Sequence, residues 1–352
     1  MTADIAFARE RHIGLVTLNR PNALNALTLE MIKALQQQLE LWQSDDDIHA
    51  VIVQAEGEKA FCAGGDVRWL YDAGLNKDPG QMQFFWHEYR LNHYIHGYSK
   101  PYISLMNGIT MGGGVGISLH GSYPIASERF VFAMPETGIG FFPDIAASYL
   151  LARCPGNFGV YLGLTGDRLN AQEALALGLV KQVIRSDKLQ DVLMSLIAAD
   201  LSHNASQAVV NCLQQFAMPA EPAVLEKKQA IIDQCFAQDS VEKIFASLQR
   251  SGDDWALQTL DHLQQKAPLS LKVTLAQIHK AKNLSMAECI KMDYCLVGQF
   301  MRDPDFYEGV RALLVDKDKA PRWQPETLAL VSAAKVNDYF VCKGAALSLI
   351  NE

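Results

Sequence analysis

No apolar run in the 352-residue sequence approaches the length of a membrane span, and the chain enters the strand-like segment IAFARERHIGLVTL without a secretory or transit signature. These absences lead to the expectation of a soluble, cytoplasmic protein with no membrane partner. Basic residues are in deficit: 31 Lys and Arg stand against 39 Asp and Glu, a formal net charge of −8. A nucleic-acid surface ordinarily carries the opposite balance, so no nucleic-acid partner is expected. Cysteine is sparse and scattered. The seven residues at 62, 154, 212, 235, 289, 295 and 342 form no CxxC pair and leave an odd count, which leads to an expectation of reduced thiols.

Several catalytic signatures are also missing. A Walker loop needs Lys-Ser or Lys-Thr after its last glycine, and here Gly114 is followed by Val115-Gly116-Ile117. The same stretch breaks the GxGxxG register of a dinucleotide site. His87, His93, His96 and His120 offer no HxxxH pair with a third ligand, so no metal is expected. No Gly-x-Ser-x-Gly elbow presents a nucleophilic serine.

What the sequence does contain is ordinary globular composition, 49% hydrophobic and 20% charged, over a length that suits about two domains. From Ile5 to about Ile184, strand-like segments alternate with glycine-punctuated helical ones, the pattern of an α/β core with stacked, largely parallel sheets. After Ser186 the chain turns to Ala, Leu, Gln and Lys at helical spacing and nearly loses glycine, predicting packed helices. The division expected is therefore 1–186 and 187–352.

Two small-residue turns stand out within the first part. FCAGGD, Phe61 to Asp66, follows the strand-like Ala50-Val51-Ile52-Val53-Gln54 and a polar turn, and it precedes the helix-like Val67 to Leu70. Gly112-Gly113-Gly114 lies between the apolar strand Pro101 to Met106 and a helix-like run from Val115 to Leu119. Glycine lets backbone approach a ligand closely, and amides at a helix start lack internal partners, so such turns can hold developing negative charge on an oxygen. About twenty residues on, MPETGIGFFPD brings Glu136 after the rigid Pro135 and Asp144 after Pro143. Glu136 can act as nucleophile or as base toward water. Asp144 precedes IAASYL, so it reads both as a helix N-cap and as a substrate or water ligand. Glu88, in the helical WHEYRLN, reads from its residues alone as a surface acid.

FCAGGD, NGITMGGGVG and MPETGIGFFPD resemble the crotonase (enoyl-CoA hydratase/isomerase) superfamily, and the likeness runs from LNRPNALNAL near the start to LTGDRLNAQEALALGLVKQVI. Within it the chain is most similar to the 3-hydroxyisobutyryl-CoA hydrolases, through KAPLSLKVTL and FYEGVRALLVDKDKAPRWQP. The resemblance implies a crotonase-like core of stacked ββα units (1–186) that binds acyl-CoA, followed by a long C-terminal helical region (187–352) that completes the site. It places oxyanion-hole amides at Gly65 and Gly113 and substrate-contacting acids at Glu88, Glu136 and Asp144. It puts coenzyme A contacts at Lys59, Ala63 and Arg68. Coenzyme A belongs to the substrate, so no separate cofactor is implied, and a homo-oligomer is possible. One of the two acids that activate water in hydratases falls on Gly116 here, and Asp144 stands where hydratases usually have a small residue. The implied reaction is hydrolysis of a short hydroxyacyl-CoA thioester in valine breakdown. The alternatives are hydration or isomerisation of a short acyl-CoA, or binding without turnover.

Overall fold

A computed structural model describes residues 4–221 and 224–350. The chain opens with an antiparallel hairpin, Ile5–Glu10 (β1) and Ile13–Leu18 (β2), and then helix Leu29–Gln43 (α1). Thr28 caps α1 by accepting from the Met31 amide, and Leu29, Ile32, Leu35, Leu39 and Trp42 form its buried stripe. Three strand pairs follow. Ala50–Ala55 (β3) and Ala60–Cys62 (β4) lead into Val67–Leu75 (α2) and Gly80–His96 (α3). Tyr102–Met106 (β5) and Ile109–Met111 (β6) lead into the short Gly113–Gly116 (α4). Tyr123–Ser127 (β7) and Val131–Ala133 (β8) lead into Ala147–Leu151 (α5) and Phe158–Thr165 (α6), and Leu169–Asn170 (β9), Ala171–Ala176 (α7) and Gln182–Ile184 (β10) end this part.

The first strand of each pair joins a six-stranded sheet, β1-β2-β3-β5-β7-β10, parallel from β2 onward. The second joins a four-stranded sheet, β4-β6-β8-β9, in which β4, β6 and β8 are parallel. Sequence patterning shows why the large sheet is covered on both faces. Along β3 successive side chains point to opposite faces, so Ala50 and Ile52 join one apolar cluster while Val51 and Val53 join another. The first cluster is closed by helices Leu189–Ala198 (α8) and Ala205–Gln214 (α9) through Val192, Leu196, Val209 and Leu213.

The remaining helices are Gln229–Phe236 (α10), Val241–Ser251 (α11), Asp254–Gln264 (α12), Pro268–Ala281 (α13), Met286–Phe300 (α14), Pro304–Val310 (α15) and Ala333–Tyr339 (α16). They pack on α3, α5 and α6 and share the second cluster with the sheets. Phe142 and Phe300 rings lie 5.1 Å apart, Phe141 and Phe306 5.7 Å, and Phe300 and Tyr339 4.8 Å. Burying each such ring contributes roughly 1.5–3 kcal/mol, which fastens the late helices to the earlier core. Among the described residues no helix is long and apolar enough to cross a membrane.

The cysteine expectation needs correcting. Cys295 on α14 and Cys342 after α16 form a disulfide with Cα atoms 4.7 Å apart, while Cys62, Cys154, Cys212, Cys235 and Cys289 are free and buried. The pair is 47 residues apart in sequence, so no local spacing announces it.

Asn25 ties the opening loop to the first strand pair. It is buried at a left-handed φ of 55°, its amide donates to the Glu56 and Ala60 carbonyls at 2.9 and 3.0 Å, and its oxygen accepts from the Arg20 amide. Asn25→Ala leaves those groups unpaired and puts alanine in a left-handed conformation, so a loss of about 3 kcal/mol is expected. An unchanged urea midpoint would show that water replaces these bonds.

Candidate active site

The carboxyl ends of parallel strands are where α/β sheets present ligands, and the small sheet sets three such ends side by side. Cys62 pairs with Thr110, and Met111 with Ala133. The turns that follow, Ala63-Gly64-Gly65, Gly112-Gly113 and Met134-Pro135-Glu136, therefore emerge next to one another. Their closeness demands glycine. A methyl group on Gly114 would lie 2.1 Å from the Cys62 carbonyl oxygen, and one on Gly113 would lie 2.3 Å from Glu88 Oε1 and 3.4 Å from the Gly65 amide nitrogen. Gly64 at φ +114° and Gly112 at φ +47° turn the chain in regions that side chains disfavour.

The first loop braces the first turn. Leu27 donates its amide to the Gly64 carbonyl and accepts from the Asp66 amide, and these bonds straddle Gly65. Among the described residues neither the Gly65 nor the Gly113 amide is engaged in a turn or side-chain hydrogen bond. The helix expected from Val115 to Leu119 is shorter than its apolar pattern suggests: α4 ends at Gly116. Three glycines in four residues favour helix poorly, and Ser118 Oγ donates to the Gly114 carbonyl at 2.6 Å. Any anion preference at Gly113 therefore rests on local amides more than on a long helix dipole.

Three acids converge on the turns. Glu88 on α3, Glu136 and Asp144 are 2%, 7% and 6% exposed, and all line one cavity of about 120 Å³. Its other walls include Ala63, Gly65, Gly113, Phe84, Phe141 and, from α15, Phe306. Among the described residues Glu88 Oε1 and Glu136 Oε2 have no hydrogen-bond partner, so each has an oxygen available to a ligand. Burial, with Asp144 nearby, raises the Glu88 and Glu136 carboxyls well above the usual range. Asp144 is pushed up to about 7, again chiefly by burial, and the Tyr89 hydroxyl, donating to its Oδ2 at 2.8 Å, opposes the shift. At neutral pH the cluster thus carries fewer negative charges than carboxyls, which favours a developing oxyanion beside it.

Two readings from the sequence change here. Asp144 does not cap a helix: α5 starts at Ala147, its N-cap Ala146 makes no side-chain bond, and Ile145 and Ala146 both sit at φ 54° between Asp144 and the helix. Glu88 is not a surface acid, because the face of α3 that carries Phe84, Glu88 and Asn92 packs on Gly65, Gly113 and Gly116. Tyr89, the neighbour of Glu88 on α3, was not anticipated from the sequence. Of the expected coenzyme A contacts, Ala63 lines the cavity, whereas Lys59 and Arg68 are exposed outside its lining, Arg68 pairing with Asp72 at 3.3 Å. At Gly116, a methyl group would lie 2.6 Å from Asn92 Nδ2, so an acid there would have to displace the Asn92 side chain.

A family model described as enoyl-CoA hydratase/isomerase matches residues 13–340. The mitochondrial 3-hydroxyisobutyryl-CoA hydrolase of Danio rerio is 42% identical over 342 residues, 96% of this chain and 89% of that protein. The Homo sapiens protein of the same name is 39% identical, with 97% and 90% covered. Among solved structures, one titled carnitinyl-CoA dehydratase from Mycobacterium thermoresistibile superposes with a TM-score of 0.93 at 34% identity, covering 100% of both chains. One titled enoyl-CoA hydratase from Rhodobacter sphaeroides gives 0.91 at 33%, covering 99% of this chain and 100% of that one.

Proposed function

The chain belongs to the enoyl-CoA hydratase/isomerase family, and from that premise we propose that it hydrolyses a short hydroxyacyl-CoA thioester, 3-hydroxyisobutyryl-CoA, to the hydroxyacid and free coenzyme A. The observation that carries this reading is the pair of unengaged Gly65 and Gly113 amides beside the unpartnered, buried Glu136 oxygen. The thioester carbonyl oxygen lies against both amides, and each donor aimed at the oxyanion contributes about a hundredfold or more in rate. Glu136 supplies the basic oxygen. Attack on the carbonyl carbon then breaks the carbon–sulfur bond, and a proton reaches the leaving sulfur. Direct attack by Glu136, which gives a mixed anhydride that water then cleaves, and proton removal from water both use that oxygen; label found in Glu136 after a single turnover in oxygen-18 water marks direct attack followed by cleavage at the Glu136 carbon.

Asp144 holds the proton that the sulfur needs, kept in place by Tyr89. The buried Glu88 carboxyl, aimed at the same cavity, hydrogen-bonds the hydroxyl of the acyl group. A cavity of about 120 Å³ with aromatic walls suits a short acyl head. No metal or further cofactor enters this scheme.

A hydratase reading is favoured by the two structural neighbours, named as a carnitinyl-CoA dehydratase and an enoyl-CoA hydratase. Gly116 counts against it, because that position carries no second acid for water addition. A thiol reagent and enoyl-CoA absorbance, followed together, decide: thiol release without an enoyl signal is expected, the converse marks a hydratase, and binding with neither marks a silent acyl-CoA protein. Thiol release also has an expected pH dependence. Only with Glu136 ionised does the site hold a basic oxygen, and burial raises that carboxyl well above its usual range, so kcat/KM should rise as pH passes upward beyond the ordinary carboxylate range. A flat profile there would contradict the assignment.

The cytoplasmic placement expected from the sequence is not supported by the curated relatives, whose names place them in mitochondria. Cell fractionation with an antibody to the chain tests the compartment.

A further inference from the structure

Asp144 is held by groups that the scheme above does not use. The backbone around it is strained, since Ile145 and Ala146 both adopt φ 54°, a region that a β-branched residue rarely enters. Such a conformation persists only where its surroundings over-determine it. Four side-chain bonds do so here. Gln277 on α13 donates from Nε2 to the Pro143 carbonyl at 2.9 Å and to Asp293 Oδ1 at 2.7 Å. Asp293 on α14 accepts the Ala146 amide on Oδ2 at 2.7 Å. His120 Nε2 donates to the Ile145 carbonyl at 2.7 Å. Gln277 and Asp293 are both fully buried, and neither lines the cavity.

An ionisable carboxyl is costly to bury away from any substrate unless its oxygens are occupied, and both oxygens of Asp293 accept hydrogen bonds from groups in or beside the Asp144 segment. We infer that Gln277 and Asp293 are positioning residues: from the late helices they clamp the chain on both sides of Asp144, so that the first part of the chain reaches its reactive geometry only with α13 and α14 in place. This inference rests on the reading that Asp144 works in the cavity.

The test compares Asp293→Leu and Gln277→Leu with Asp293→Asn, which keeps an acceptor for the Ala146 amide. Thr274→Val, on the same helix and with a buried hydroxyl lacking a partner, serves as control. Displacing a reactive group by about 1 Å costs on the order of a hundredfold, so the two leucine variants should lose about that much in kcat with KM nearly unchanged. Asp293→Asn should recover about tenfold of the loss, and Thr274→Val should match wild type. Deuterium uptake in peptides covering 142–150 should rise in the leucine variants only. Wild-type kcat per folded molecule in both leucine variants, or a loss confined to KM, would overturn the clamp. If Asp293→Leu fails to fold, Gln277→Leu and Asp293→Asn carry the comparison. If wild type releases no thiol from 3-hydroxyisobutyryl-CoA, the substrate assignment fails separately, and the uptake data decide the clamp: raised uptake supports it, unchanged uptake refutes it.

Discussion

Glu136→Gln is expected to lower kcat for thiol release by about a thousandfold while leaving the fold intact, the range in which a positioned base contributes to proton transfer. Glutamine keeps the shape and one acceptor oxygen of the side chain but has no basic oxygen. The same substitution should raise stability at neutral pH. Burial raises the Glu136 carboxyl well above its usual range, so the unfolded chain gives up this proton more readily than the folded one. Stability is then lost as pH rises from the ordinary carboxylate range toward the folded-state value, and a neutral amide removes that loss. Opposite movements of activity and stability mark a group kept in an unfavourable environment for its chemistry. Turnover together with thermal unfolding at acid and neutral pH would measure both. A variant that stays active, or one that loses activity only in proportion to lost folded protein, would end the assignment.

The glycine turns and the acid-bearing loop could be read in the sequence because each depends on local chemistry. Only small residues tolerate the approach of Gly114 to Cys62, and Pro135 fixes the chain before Glu136. The alternation of sheet and helix up to Ile184, and the helices after it, followed from periodicity. What escaped depends on distant partners. β4 is only three residues long, so its apolar residues merged with the turn that follows. The burial of Glu88 comes from the glycine turns, Gly113 standing against its carboxyl, and no pattern within α3 reports it. Asp144 matched the composition of an N-cap, yet capping requires a backbone geometry that the left-handed Ile145 and Ala146 do not provide. Tyr89, Phe306 and the Gln277–Asp293 pair enter the site only through tertiary packing.

Gly113→Ala is expected to cost about a hundredfold or more in kcat, the loss typical of removing one oxyanion donor, with a small change in stability. The added methyl would sit 2.3 Å from Glu88 Oε1 and 3.2 Å from Leu27 Cδ1, so either the Glu88 carboxyl or the Gly113 backbone must move. Movement of Glu88 weakens the grip on the acyl hydroxyl and should appear mainly in KM. Movement of the backbone withdraws an amide from the oxyanion and should appear in kcat. Leu27 decides between them, because its side chain is buried in the close-packed core and has little space into which to recede. The backbone is therefore the part that gives, and the kcat loss should persist when Glu88 is shortened to alanine in the same chain. Gly65→Ala makes the comparison sharper. Its methyl meets the Phe84 ring at 2.8 Å, and a ring edge in a cavity wall can tilt away, so a smaller loss is expected there. Equal kcat in Gly113→Ala and wild type would remove the Gly113 amide from the mechanism.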